Sequence, residues 1–172
     1  MKSHSLQNSI FLILFPIFIL ISMSCINQEE QEKTGLAIEE EQKVRSEIIS
    51  AVDNYIKAIT SNDLDKMLEF WSDSEDFIHA GDGIVVGGYE EWANWMKEWY
   101  NPNRKWLYWN GSNVNTVVLS KEAAVYTYNF EDAYVDGIDT TRVNGAWTFV
   151  FRKENSKWKV IASNGTHKGI SY

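Results

Sequence analysis

The chain has 172 residues, with 24 acidic against 16 basic side chains and a formal charge of −8. That length holds one compact domain with its own core and leaves little room for a second. The acidic balance excludes a nucleic-acid binder, because phosphate recognition needs clustered cations and the chain carries none. A lone cysteine excludes a disulfide framework and a cysteine-based zinc site. Aromatic residues are unusually frequent, with eight each of Trp, Tyr and Phe.

Lys2 precedes a twelve-residue apolar run, 10–21, broken only by Pro16. A spanning helix needs about 20 apolar residues, so the run fits the core of a signal peptide, assigned to residues 1–24. Ser22-Met23-Ser24-Cys25 resembles a bacterial lipoprotein lipobox, in which the cysteine is acylated and becomes the new N-terminus. Ser22 departs from the branched aliphatic residue usual at its position. Acylation would account for the lone Cys25 and anchor the protein to a membrane of the bacterial cell envelope, the outer one where the cell has one. Residues 25–38, rich in Gln and Glu, read as an acidic flexible tether, and 39–172 as the folded domain.

In residues 39–60 the apolar side chains Val44, Ile48, Val52, Tyr55 and Ile59 recur every three or four positions. They predict one amphipathic helix with acidic residues in its first turn. Asn62 or Asp63 caps a second, short helix ending near Trp71. Residues 76–80 and 84–86 predict short strands around the Gly81-Asp82-Gly83 turn. Gly87-Gly88 opens a third helix that Asn101-Pro102 ends, with Trp92, Trp95, Met96 and Trp99 on one face. Residues 104–119, 123–135, 140–153 and 158–170 predict four long strands separated by short turns, which is an antiparallel meander. Three apolar helix stripes need one sheet face to cover, so the expected class is α+β. A strongly curved antiparallel sheet closed by N-terminal helices makes a cone with an open mouth, the kind of concavity that holds small ligands.

Three local patterns then carry a resemblance. They are the helix-turn segment 61–71 with its Asp-rich sequel, Gly87-Gly88-Tyr89-Glu90-Glu91-Trp92, and the C-terminal hairpin from Gly145-Ala146-Trp147 to Gly165-Thr166-His167. In this order they are similar to the nuclear transport factor 2-like superfamily, in particular its SnoaL-like branch. The resemblance covers roughly residues 39–170 and implies the cone-shaped fold. It also implies a choice of activities, since that scaffold hosts isomerases, cyclases, dehydratases, hydrolases and non-catalytic binders. Catalysis in such proteins often rests on one Asp buried in the cone, and relatives commonly dimerise through the outer sheet face, which makes a homodimer an expectation.

His79 and His167 are of the type that titrates near neutrality. Asp132 shares strand parity with Tyr126, Tyr128, Phe130 and Tyr134, so it stands in an aromatic row; burial there would raise its pKa and make it a usable acid or base. The alternation leaves open which row faces the cone, and Glu131 takes the place of Asp132 if the parity is reversed. The candidate catalytic residues are therefore His79 and Asp132. The candidate ligand-binding residues are Tyr55, Trp71, His79, Trp92, Trp95, Tyr128, Trp147 and His167, since indole and phenol rings give flat apolar faces with one polar handle each. No His-x-His or His-Glu-x-x-His spacing exists, and no phosphate loop or Gly-x-Ser-x-Gly elbow, so neither a metal nor an organic cofactor is expected.

The first reading of function is a lipid-anchored envelope protein that binds a small apolar or aromatic molecule. The alternatives are a cofactor-free SnoaL-like isomerase, cyclase or dehydratase, with Tyr55 or Tyr128 as oxyanion donor, and a dimeric interaction module. The interior discriminates between the first two: an all-apolar cavity favours binding, a buried carboxyl paired with His or Tyr favours catalysis. The anchor has its own test. Cys25→Ala should release the protein from membranes or leave its signal uncleaved, read by fractionation and intact mass; a variant that partitions and processes like wild type refutes acylation.

Overall fold

The computed structural model of the chain describes residues 35–169, so the expected signal peptide, Cys25 and most of the tether lie outside the described residues. Within them run α1 (Ile38–Thr60), α2 (Leu64–Glu69), β1 (Ile78–Gly81), β2 (Ile84–Gly87), α3 (Tyr89–Trp99), β3 (Lys105–Ser120), β4 (Ala123–Asp136), β5 (Asp139–Glu154) and β6 (Lys157–Gly169). Order and type agree with the periodicity throughout.

Helix α1 begins with Glu39, Glu40 and Glu41 in its first turn, where negative charge meets the positive end of the helix dipole. Its buried stripe is Val44, Ile48, Val52, Tyr55, Ala58 and Ile59. Leu36, inside the stretch read as tether, is also buried, so packing starts ahead of the helix. Asp63 caps α2 by accepting the Lys66 N–H at 3.1 Å. On α3 the buried side chains are Trp92, Ala93 and Met96.

The sheet order is β2-β1-β6-β5-β4-β3. Strands β3 to β6 form the expected antiparallel meander, and β1 and β2 a hairpin. One junction differs from an antiparallel sheet: β1 lies parallel to β6, pairing His79 with Ser163 and Gly81 with Gly165. Helix α3 carries the chain from β2 to the far edge, and four meander strands bring it back running beside β1. That long connection is what a parallel pair requires.

Strand β4 alternates with Ala124, Tyr126, Tyr128, Phe130 and Asp132 buried, which settles the parity in favour of the aromatic row. Helix α1 is pinned across this concave face. Glu47 accepts from Lys153 Nζ at 2.8 Å and from the Trp158 indole at 2.7 Å, and Arg45 donates to the Thr116 carbonyl. The core is aromatic: Tyr55 stacks on Phe70 with centroids 4.0 Å apart, and Trp71 meets Trp92 edge-on at 4.9 Å.

Two strand glycines make room for rings. A Cβ at Gly145 would stand 2.0 Å from the Thr166 carbonyl oxygen and 2.6 Å from the Phe130 ring, and one at Gly165 would stand 2.6 Å from the Trp147 ring. Backbone cannot retreat as a flexible side chain can. Gly145→Ala is therefore expected to cost about 1–3 kcal/mol of unfolding free energy, the usual penalty of overpacking. Urea denaturation measures it, and an unchanged midpoint would mean that both the Phe130 ring and the β6 backbone give way at no cost.

Candidate functional site

A cavity of about 290 Å³ occupies the concave side of the sheet. Tyr55 and Ile59 reach it from α1, Trp71 from the segment after α2, and Trp92, Trp95, Met96 and Trp99 from α3. The sheet supplies Tyr128, Asp132 and Tyr134 from β4, Val143, Trp147 and Phe149 from β5, and His167 from β6. Trp95 is 38% exposed whereas Trp71 and Trp92 are each 1% exposed, so the wall runs from a solvent-facing rim to a sealed interior. Trp95 stacks on Trp92 at 5.2 Å, continuing the ring array outward.

Of the residues expected to bind a ligand, Tyr55, Trp71, Trp92, Trp95, Tyr128, Trp147 and His167 all line this one cavity. His79, also expected there, is not among the lining residues. Its ring lies 4.4 Å from Trp92 and 5.2 Å from Trp147, and Nδ1 is 2.9 Å from Ser163 Oγ. Burial, only partly countered by the Asp82 charge, lowers its pKa to about 4, so it is neutral at pH 7 and a weak base. His79 supports two cavity rings from outside the lining, because the parallel pairing of β1 with β6 sets it opposite Ser163.

Trp106 and Trp109 also line the cavity and were absent from the sequence-based site. Three positions apart, they would face opposite sides of a regular strand. In the ladder Trp106 pairs with Tyr134 and Trp109 with Asp132, with a register shift between Trp106 and Tyr108. Leu107 is the extra residue of a β-bulge, and it turns both indoles to the concave face while Leu107 itself stays exposed. The aromatic spacing carried no sign of it.

Asp132 is the group with chemical potential. It is 4% exposed, it lines the cavity, and its Oδ1 has no hydrogen-bond partner. Burial raises its carboxyl to about 7, against the opposing pull of the Arg104 charge. In the same row, burial chiefly drives the Tyr128 phenol far above its ordinary range, so it stays protonated and able to donate. Burial does the same to Tyr55.

A second polar pair sits at the rim. His167 Nδ1 lies 2.5 Å from Asp82 Oδ2, and the His167 backbone N–H donates to Asp82 Oδ1 at 2.7 Å. Partial burial pushes Asp82 up, but the two hydrogen bonds from His167 and its charge hold the carboxyl below the usual range. Asp82 also belongs to the lining and was likewise missing from the sequence-based site. Asp82 thus holds both the backbone and the ring of His167. Its ring stands edge-on to Phe130 and Trp147, at 5.5 and 5.4 Å.

The raised Asp132 has a measurable consequence for folding. An unfolded chain ionises an aspartate near pH 4, so between about pH 4 and 7 the unfolded state holds fewer protons than the folded one. Stability from this group therefore falls as pH rises through that window and levels off above it. Asp132→Asn removes the component. The stability difference between variant and wild type should move in the variant's favour by on the order of 2–4 kcal/mol from pH 4 to pH 8. Urea unfolding at the two pH values measures it, and a pH-independent difference would show that the carboxyl is not raised.

A model of the SnoaL-like domain matches residues 48–165. No curated protein sequence matches the chain. Among solved structures, a Novosphingobium aromaticivorans protein assigned provisionally as a scytalone dehydratase superposes with a TM-score of 0.65 at 11% identity, over 78% of this chain and 91% of that one. A ketosteroid isomerase-like protein from Erwinia carotovora atroseptica gives 0.58 at 18% identity, over 74% and 96%. An NTF2-like protein from Cytophaga hutchinsonii gives 0.56 at 19% identity, over 73% and 98%. At these identities the likeness is one of fold. The family model spans most of the described residues, the helix-covered curved sheet is that of the nuclear transport factor 2-like structures, and the chain belongs to the SnoaL-like domain family.

Proposed function

We propose that the domain takes up a small, flat, largely apolar molecule and moves a proton on it, with Asp132 as the acid–base group. One observation carries this reading: a carboxyl buried to 4% exposure, without a partner for Oδ1, on the wall of an otherwise aromatic cavity. A cavity made only to hold an apolar ligand gains nothing from that group, since an aliphatic side chain there would avoid its desolvation cost. A carboxyl poised near pH 7 can both accept and donate a proton at neutrality, which is what general acid–base catalysis needs. Tyr128, held as a neutral phenol in the same row, suits stabilisation of a developing oxyanion. The rings on opposite walls select a planar substrate.

A dehydratase and an isomerase both work by proton transfer, and proteins with those printed names share the fold, though at 11% and 18% identity they lend only the scaffold. The reading includes acylation of Cys25, which would hold the cavity close to a membrane and to apolar compounds partitioned into it.

The test begins with native mass spectrometry of the protein purified from its own cells, to identify the bound molecule. Exchange of that molecule's carbon-bound protons is then followed by NMR in deuterated water. Wild type should exchange them about 10²–10⁴ times faster than Asp132→Asn, the usual scale of general acid–base catalysis. Binding, read from Trp fluorescence, should survive in Asp132→Asn and weaken in Trp95→Phe. Equal exchange in wild type and Asp132→Asn, with binding intact, would reduce the domain to a carrier.

A further inference from the structure

Behind one part of the cavity wall lies a buried cation. Arg104, just ahead of β3, is 8% exposed. Its guanidinium carbon stands 4.4 Å from the Trp99 ring, 4.4 Å from the Tyr134 ring and 5.9 Å from the Trp106 ring. These rings come from α3, β4 and β3, and all three line the cavity. The arginine backbone is fixed as well: its N–H donates to the Asn101 carbonyl at 3.1 Å, and its carbonyl accepts from Asn62 Nδ2 at 2.8 Å.

The ionic pairing of Arg104 is thin for a buried charge. Nη2 reaches Asp136 Oδ2 at 3.3 Å and the Trp99 carbonyl at 3.4 Å, while Nε is buried without a partner. Asp136 is itself 36% exposed and is shared with the Asn101 amide. A cation taken out of water on such terms costs more than one half-exposed partner returns. Contact with three aromatic faces offsets part of that cost. In the β3–β4 ladder Trp106 pairs with Tyr134 and Trp109 with Asp132, so the guanidinium packs on rings next along from the carboxyl.

We propose that Arg104 is a positioning residue of this site, clamping Trp99, Trp106 and Tyr134 into the cavity wall and supplying the positive charge that acts on the Asp132 carboxyl. The inference rests on Asp132 as the proton-transfer group. Arg104 touches no reacting atom; it sets how readily the buried carboxyl gives up its proton, and with it the pH at which the site works. Among the described residues, the other titratable groups facing the cavity are Tyr55 from α1, Tyr128 and Tyr134 from β4, His167 from β6 and Asp82 from the β1–β2 turn. Helix α3 presents Trp92, Trp95, Met96 and Trp99 and no titratable side chain. Arg104 is the cation whose charge acts on Asp132, and Asp136 is the anion that partly neutralises it.

Carbon-13 NMR titration of the Asp132 side-chain carboxyl in the intact protein, with no ligand added, tests this directly. Wild type should titrate near pH 7. Arg104→Met should raise the midpoint by about 0.5–1 unit, less than the loss of a directly paired charge would. Arg104→Lys, which keeps the charge, should restore most of it while disturbing the Trp99 and Trp106 indole signals, because an ammonium cannot lie flat between rings. Asp136→Asn should move the midpoint the other way, downward, by freeing Arg104 of its partner. A merely structural arginine would alter melting and leave the midpoint where it was. If Arg104→Met fails to fold, Asp136→Asn still decides: an unmoved midpoint in that folded variant overturns the proposal. The titration needs no substrate, so midpoints that shift as expected beside an absence of proton exchange would sink the enzymatic reading and leave Arg104 as the residue that clamps the rings and tunes the Asp132 carboxyl.

Discussion

A buried carboxyl with one oxygen left without a hydrogen-bond partner is the constraint around which this domain is organised. Leaving such an acceptor unsatisfied costs about 1–3 kcal/mol. Asp132 imposes that cost in the middle of β4, between Phe130 and Tyr134 on the concave side, and the surrounding packing has to offset it. The offset is aromatic. Trp71, Trp92, Phe77, Phe149 and Phe151 are all fully buried, and edge-to-face pairs such as Phe70 with Phe149 at 5.3 Å each add about 0.5–1.5 kcal/mol beyond their area. A local defect on that scale persists only where the rest of the fold over-determines it, which is the usual situation at sites of function.

The same rings explain why a cavity exists at all. Indole and phenyl groups are rigid plates, and a curved sheet presents them at differing tilts, so they cannot close the space against α1 and α3 as branched aliphatic side chains would. Trp106 and Tyr134 meet at 59°, Trp71 and Trp147 at 55°, and Tyr128 and Phe130 at 45°. Gly145 and Gly165 deepen the hollow by letting Phe130 and Trp147 press against the backbone of neighbouring strands. The absence of two Cβ atoms thus shapes the site as much as the presence of seven tryptophans in its lining.

How far the sequence reveals this architecture depends on the range of the interaction that fixes each residue. The α1 stripe and the β4 row are set by local periodicity, and Tyr55, Tyr128 and Asp132 could be assigned to inward faces from spacing alone, once one row was known to face the cone. Trp106 and Trp109 escaped because a single inserted residue, Leu107, reverses the alternation between them, and bulges have no reliable local signature. The placement of His79 is hidden for a different reason: its strand looks like any short strand. Only the parallel pairing with β6 sets it against Ser163 and behind Trp147. Asp82 is joined to His167 across 85 positions of chain, and nothing near either residue announces the other. Fold class is therefore legible where local patterns add up, whereas a site assembled from distant strands is legible only in part.

The two carboxylates of the cavity make opposite arrangements with their surroundings, and that contrast points to a division of labour. Asp82, at the exposed rim, receives two hydrogen bonds from His167 and is held ionised. Asp132, inside, has a bare oxygen and a pKa lifted to about 7 by burial. One charge is fixed and the other is mobile. Where environments push two acids apart in this way, the fixed one serves orientation and the movable one serves chemistry. At the rim, Asp82 locks the His167 ring through Nδ1. Further in, on the proposed function, the apolar walls would strip water from a bound molecule, and any charge developing on it would fall to Asp132, the neutral Tyr128 phenol and the Arg104 guanidinium behind its rings. The aromatic content that makes the composition unusual thus surrounds an ionisable group where water cannot, and on the proposed function it would also hold a planar molecule against that group.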